Sequence, residues 1–257
     1  MRPPRRPVRG LPLRAIAPNA VTALALCSGL SGIRFAIVGE WERAVAMVLV
    51  AAVLDGIDGR IARLVRGESR FGAELDSLSD SIAFGVSPAL ILYLWSLLSL
   101  PRLGWVAALS LAVCCALRLA RFNSQIDVED QPHKSAGFLT GIPAPAGAAL
   151  AMLPLYLWLW TGDALFRDPR LVGPWVLLTA IGMVSSFATF STGSLRLRRS
   201  VRFEALVVIV LLGVAMFSLP WETLSVLTIL YGGSLPFSLL AYRRIKRQRA
   251  EPLDQSA

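Results

Sequence analysis

What most limits the fold of this chain is a succession of apolar runs, nearly free of charge, that begins at Ile16 and ends at the basic tail from Arg243. A helix of about 20 residues crosses the hydrocarbon core of a bilayer and satisfies its own backbone N–H and C=O groups, and fewer residues suffice where polar ones at an end line a cavity. The spacing predicts eight such helices, at residues 16–38, 42–66, 73–99, 102–122, 144–161, 172–190, 203–219 and 222–242. A hydrophobic fraction of 55% agrees with a membrane domain. The expected fold class is all-α, a polytopic integral membrane bundle of about eight helices with both termini cytoplasmic. Residues 1–15 form a basic cytoplasmic segment, 16–242 the transmembrane domain, and 243–257 a basic tail expected to fray and lie on the lipid surface. The first run has the look of a signal sequence ending at Cys27. Leu26 is bulky where cleavage needs a small residue and the apolar run continues, so an uncleaved first span is expected.

Charge fixes the orientation. The net charge is +9, and of 26 basic residues only Lys134 and Lys246 are lysines. The arginines sit beside apolar spans, a placement that points to topology and anionic lipid and away from nucleic acid. With eight spans, Arg2 to Arg14, Arg60 to Arg70, Arg118 to Lys134, Arg196 to Arg202 and the tail fall on one side, while the opposite loops carry Arg43, Arg102, Arg167 and Arg170. An excess of Lys and Arg marks the cytoplasmic face. Trp41, Trp95, Trp105, Trp158, Trp160, Trp175 and Trp221 all fall at the other ends of the predicted spans, as interfacial indoles do.

Against this background four carboxylates stand out: Asp55, Asp58, Asp76 and Asp80. An unpaired charge at bilayer depth costs about 2.5 to 3.5 kcal/mol on insertion scales. At about 100° per residue, Asp55, Asp58, Gly59 and Ala62 share one helix face, with Arg63 at its edge and Arg60 pointing away. Asp76 and Asp80 are four apart and share a face of the next helix. A short turn with Arg66, Gly67 and Arg70 makes the two helices antiparallel neighbours, so the four carboxylates should converge. They would repel one another unless cations sit among them, and all-oxygen ligands suit Mg²⁺ or Mn²⁺. Two such ions about 4 Å apart clamp a displacement at phosphorus, and Gly59 and Ala62 leave room beneath a bulky ligand. Pairing of the aspartates with Arg60, Arg63, Arg66 and Arg70 in a solvated hairpin is the plainer alternative. Asp55 stands about 16 Å along its helix from Arg66, so the cavity is intramembrane but shallow.

The stretch Asp55 to Asp80 resembles the signature of the CDP-alcohol phosphotransferases, D-x-x-D-G-x-x-A-R, eight residues, G-x-x-x-D-x-x-x-D, at Asp55, Asp58, Gly59, Ala62, Arg63, Gly72, Asp76 and Asp80. The resemblance implies a helical membrane enzyme, homodimeric in the family, with a two-metal site that moves a phosphatidyl group from a CDP-linked lipid to an alcohol and releases CMP. By position, Asp55, Asp58, Asp76 and Asp80 would bind metal, and Asp80 would also be the general base. Asp58, Gly59, Ala62, Arg63 and Gly72 would receive the CDP-lipid.

A narrower resemblance, carried by "PNAVTALALCSGLSGIRFAI", "SRFGAELDSLSDSIAFGVSPALILYLW", "LRLARFN" and "GIPAPAGA", is to the branch of that family that accepts L-serine and forms phosphatidylserine. It covers most of residues 16–160, while the last three spans match only in hydrophobic pattern. It implies CDP-diacylglycerol and L-serine as substrates, at an inner membrane with the site facing the cytoplasm. Arg118, Arg121 and Asn123 then become candidates for the acceptor, since a guanidinium fork suits a carboxylate; snorkelling anchors are the equal alternative. Pro143 and Pro145 either start a helix or, with Gly141, bring backbone over the site. Glycerol 3-phosphate, choline or inositol as acceptor, and a divalent-cation transporter, are the rivals; a transporter would spread acidic residues over several spans. Cys27, Cys114 and Cys115 read as small core residues, and His133, Asp127, Glu129 and Asp130 as a solvated loop.

Overall fold

A computed structural model describes residues 13–64, 69–124, 138–185, 188–190 and 202–250. The chain is built of helices: α1 Leu13–Ile37, α2 Trp41–Leu64, α3 Arg70–Asp80, α4 Ser87–Trp95, α5 Leu103–Ser124, α6 Ala144–Thr161, α7 Pro169–Val184, α8 Arg202–Ser218 and α9 Pro220–Ala250. A π-helical segment, Ser81–Val86, joins α3 to α4, so Arg70–Trp95 runs as one rod. Four rods, Ile16–Ile37, Arg70–Trp95, Leu103–Ser124 and Ala144–Thr161, are long and apolar enough to cross a membrane; Pro169–Val184 and Leu206–Ser218 are apolar but shorter.

The core lies where α4, α5, α6 and α7 pack together. Ile91, Leu92 and Trp95 of α4, Met152, Leu155 and Tyr156 of α6, and Val172 and Val176 of α7 are buried. The outward faces are as apolar as the inward ones: Leu206 to Leu212 on α8 are all exposed. Such a surface suits lipid and not water.

Helices that face lipid gain little from apolar burial, so they associate through close packing and hydrogen bonds. Small residues permit that here. A Cβ added at Gly29 of α1 would lie 2.9 Å from Ala83 Cα, and one at Gly85 would lie 2.9 Å from Cys115 Cβ on α5. Hydroxyl donors stitch the same contacts: Ser28 Oγ to Met47 O at 2.7 Å, Ser79 Oγ to Thr22 O at 3.2 Å, and Ser87 Oγ to Gly29 O at 2.8 Å. Together they hold α1, α2 and the Arg70–Trp95 rod as one unit.

Several expectations change. Residues 188–190 are not the end of a helix but β2 (Ala188–Phe190), paired antiparallel with β1 (Phe138–Thr140) in a ribbon with Phe138 opposite Phe190. The sixth predicted span is accordingly α7, which ends at Val184. The tail expected to fray from Arg243 continues α9 to Ala250. Cys115 is in the core, but Cys27 is exposed on α1: in a helix apolar all round, the sequence does not mark the inward face. Trp95 is buried against Trp158, with ring centroids 5.8 Å apart, and Arg167 lies over both Trp41 and Trp158. Those three indoles form a packed cluster, whereas Trp105 and Trp160 are exposed as interfacial indoles are expected to be.

Candidate active site

Three helices converge on an open cleft of about 490 Å³. Pro18, Asn19 and Thr22 reach it from α1, Asp58, Gly59 and Ala62 from α2, and Ser69, Gly72, Ala73 and Asp76 from the start of α3. Ser69 sets that start. Its backbone is extended (φ −139°, ψ 151°) and its Oγ accepts from the Gly72 N–H at 3.0 Å, an N-cap that starts α3 at Arg70. Asp76 and Asp80, four apart, then share a face. Gly72 permits the approach of α1, since a Cβ there would lie 2.8 Å from Asn19 Oδ1. Above Gly59 there is open space, with nothing within 4 Å of an added Cβ, so the α2 wall is bare backbone.

Asp55, Asp76 and Asp80 each offer a carboxylate oxygen, and the three lie within 4.8 Å of one another. Asp58 is not one of the three. It is 4% exposed and accepts from Thr22 Oγ1 at 2.6 Å, while the same hydroxyl reaches the Pro18 carbonyl at 3.1 Å. The expected convergence of four is thus a group of three with the fourth beside it, held by α1.

The alternative in which arginines neutralise these aspartates fails among the described residues. The ion pair found there is Arg43 with Glu40, at the opposite end of α2. Arg60, Arg63 and Arg70 are exposed and make none with the aspartates, and Arg66 and Gly67 lie outside the described residues. A group of carboxylate oxygens with no ion pair to a basic side chain among the described residues fits a hard divalent cation.

Of the other expected site residues, Gly59, Ala62 and Gly72 line the cleft; Arg63 does not. It follows Asp58 by five residues, about 140° around the helix. On α5, Arg118 is half-buried and within electrostatic range of Asp80. Asn123 Nδ2 donates to Ser77 Oγ at 2.7 Å, bracing α5 against α3. Arg121 is exposed, with Nη1 3.4 Å from the Val184 carbonyl of α7. The prolines start a helix: Pro143 is the N-cap residue of α6 and Pro145 lies in its first turn. Gly141, at φ +74°, packs against the Met183 and Ser185 carbonyls and does not line the cleft. His133, Lys134, Asp127, Glu129 and Asp130 lie outside the described residues.

The sequence model of the CDP-alcohol phosphatidyltransferases matches residues 15–190, a range that contains every carboxylate of the site. The chain belongs to this family. A second model, CDP-alcohol phosphatidyltransferase 2, matches residues 202–236. The chain is 38% identical over 235 residues to a CDP-diacylglycerol–serine O-phosphatidyltransferase of Mycobacterium tuberculosis, covering 91% of this chain and 82% of that protein. It is 40% identical over 131 residues to the protein of that name from Helicobacter pylori (51% and 53% of the two chains), and 41% identical over 105 residues to that of Methanocaldococcus jannaschii (40% and 45%). The likeness therefore extends past residue 160 into the last helices, further than the motifs alone reach.

The residues of α1 had no place in the carboxylate motif. Pro18, Asn19 and Thr22 nevertheless supply one wall of the cleft, and Ser69 caps the helix that carries Asp76 and Asp80. A signal for two of them was available: Asn19 and Thr22 are polar, three apart, at the start of an otherwise apolar span, and so share a face.

Proposed function

We propose that this chain crosses the inner membrane eight times, with both termini and the cleft on the cytoplasmic side, and transfers the phosphatidyl group of CDP-diacylglycerol to L-serine. The products are phosphatidylserine and CMP. The observation that carries the reading is the group of Asp55, Asp76 and Asp80 oxygens within 4.8 Å of one another, beside a cleft walled by Gly59, Ala62 and Gly72. The names of the relatives support serine as acceptor, and the arginine asymmetry supports the orientation.

The nucleotide end of the lipid enters the cleft, where the bare backbone at Gly59 leaves space for it. Asp55, Asp58, Asp76 and Asp80 would hold two ions, Mg²⁺ or Mn²⁺, whose chemistry is to neutralise the diphosphate and stabilise the leaving oxygen. Asp80 takes the proton of the serine hydroxyl. The hydroxyl oxygen bonds to the phosphorus that carries diacylglycerol, and the bond from that phosphorus to the bridging oxygen breaks. CMP leaves with that electron pair. A direct displacement fits, since among the described residues no activated cysteine or serine nucleophile is placed at the carboxylates. Arg118 receives the serine carboxylate, and Asn123 holds α5 in place through Ser77.

An acceptor panel tests the assignment. With CDP-diacylglycerol, the purified chain is expected to release CMP with L-serine and far less with glycerol 3-phosphate, choline or inositol. Release with another alcohol and not with serine would replace the acceptor, and metal flux into liposomes without nucleotide would favour a cation transporter.

Thr22 gives a second test, independent of the acceptor. Its hydroxyl is a hydrogen bond to a charged carboxylate, of a kind worth roughly 1.5 to 3 kcal/mol. Thr22→Val is therefore expected to lower kcat/KM for CDP-diacylglycerol by about tenfold or more, with Thr22→Ser close to the parent. Initial rates against lipid concentration decide it; an unchanged Val variant removes Thr22 from any role in holding Asp58.

A further inference from the structure

Four buried side-chain donors have no hydrogen-bond partner among the described residues, those of Trp95, Arg118, Ser225 and Tyr231, and two of them lie within electrostatic range of each other: the Nε–H of Arg118 on α5 and the hydroxyl of Tyr231 on α9. Buried tyrosine hydroxyls and guanidinium N–H groups ordinarily find acceptors. A pair of neighbouring orphans points to an acceptor that arrives with a ligand.

Their surroundings say which ligand. Arg118 follows Cys115 by three residues and precedes Leu119, both buried, so its stem leaves the inward face of α5. Cys115 packs on Gly85 in the π-helical segment that begins directly after Asp80. The Asn123 amide fixes the end of α5 on Ser77, one turn before Asp80. The inward face of α5 is thereby aligned with the turn that carries Asp76 and Asp80, and Arg118 interacts with Asp80 across it. Tyr231 comes from the C-terminal helix, outside the part of the chain that bears the aspartates. It packs against the core, and the residue after it, Gly232, rests on Leu150 of α6.

We propose that the Tyr231 hydroxyl and the Arg118 Nε–H together receive the carboxylate of the acceptor alcohol, so that α9 takes part in selecting serine. A carboxylate has two oxygens and accepts from both donors at once. A neutral alcohol would leave both donors unmatched, and a site built to hydrogen-bond one group rejects the analogue that lacks it. The proposal rests on the serine-transfer reading above.

The test is Tyr231→Phe in the full chain, with divalent cation and CDP-diacylglycerol. The serine KM is expected to rise about tenfold, as for loss of one hydrogen bond to a charged group. kcat and the CDP-diacylglycerol KM should stay within about twofold, because neither the carboxylate cluster nor the cleft loses a contact. Serinol, which replaces the carboxylate by a hydroxymethyl group, should be a poor acceptor for the parent, and the preference for serine over serinol should shrink by the same factor in the variant. Arg118→Lys keeps the charge but loses the Nε–H, and should reproduce the KM effect. A thermal melt guards against misfolding: without serine the Phe variant should melt no lower than the parent, while the upward shift produced by L-serine should be smaller. A parent that uses serine, beside a Phe variant with unchanged serine KM, unchanged preference and unchanged serine-induced shift, overturns the role of Tyr231 and leaves the serine reading standing. A parent that releases no CMP with serine overturns both.

Discussion

Replacing Asp80 by asparagine is expected to lower turnover with serine by about 10³-fold, within the range that a positioned general base contributes. Asparagine keeps the shape and the possibility of an oxygen ligand but cannot take the proton. Asp80 belongs to the group of three, its oxygen lying within 4.8 Å of those of Asp55 and Asp76. Loss of activity alone would not separate a base from a metal ligand. The measurement that does is the dependence of rate on cation concentration. If proton transfer is what is lost, the concentration for half-activation stays close to that of the parent, CMP still binds, and no amount of Mg²⁺ or Mn²⁺ restores turnover. Recovery at high cation would make Asp80 a ligand only, and the base would have to be sought elsewhere around the acceptor.

The position of this site was legible because its residues are local. Asp55 and Asp58 on one helix, Asp76 and Asp80 on the next, and a short turn between them suffice to bring carboxylates together from helical periodicity alone. Residues 144–161 were bounded correctly for a similar reason, since Pro143 and Pro145 precede an uninterrupted apolar run and Gly162 follows it. What stayed hidden depends on contacts far apart in sequence. Thr22 reaches Asp58 across 36 residues, and although Asn19 and Thr22 share a face at the start of the first span, nothing there says which partner that face meets. Cys27 and Cys115 sit in similar runs, yet one is exposed and the other buried. Where both faces of a helix meet apolar surroundings, the amphipathic stripe that reveals orientation in a soluble helix is missing. The π-helical segment after Asp80 has no signature in the residues Ser81–Val86, and a helix interior without proline reads as continuous. Tyr231 illustrates the same limit for function: it lies in a span recognisable only as apolar, and its proximity to Arg118 exists only once α9 has packed.

Removal of divalent cations is expected to have the largest effect. Two unit charges 4.8 Å apart at an effective dielectric of about 20 repel by roughly 3 kcal/mol, and Asp55, Asp76 and Asp80 form three such pairs with no arginine ion pair among the described residues. A folded chain keeps such an arrangement charged only if something positive occupies it in the working state; without that the carboxyls take up protons. Chelation should therefore extinguish CMP release, by on the order of 10³-fold or more given the several kcal/mol a bound metal contributes, and Mg²⁺ or Mn²⁺ should restore it. Asp55→Asn and Asp76→Asn separate this account from a merely structural cluster. Each removes one charge from the group, so in chelator the variants should melt above the parent, while in Mg²⁺ they should be far less active and gain less thermal stability from the cation. Stability and activity thus move in opposite directions. If both variants melted below the parent in chelator, or if Mg²⁺ failed to raise the parent's melting temperature, the three carboxylates would be serving the fold by some other pairing, and the phosphorus chemistry assigned to them would lose its basis.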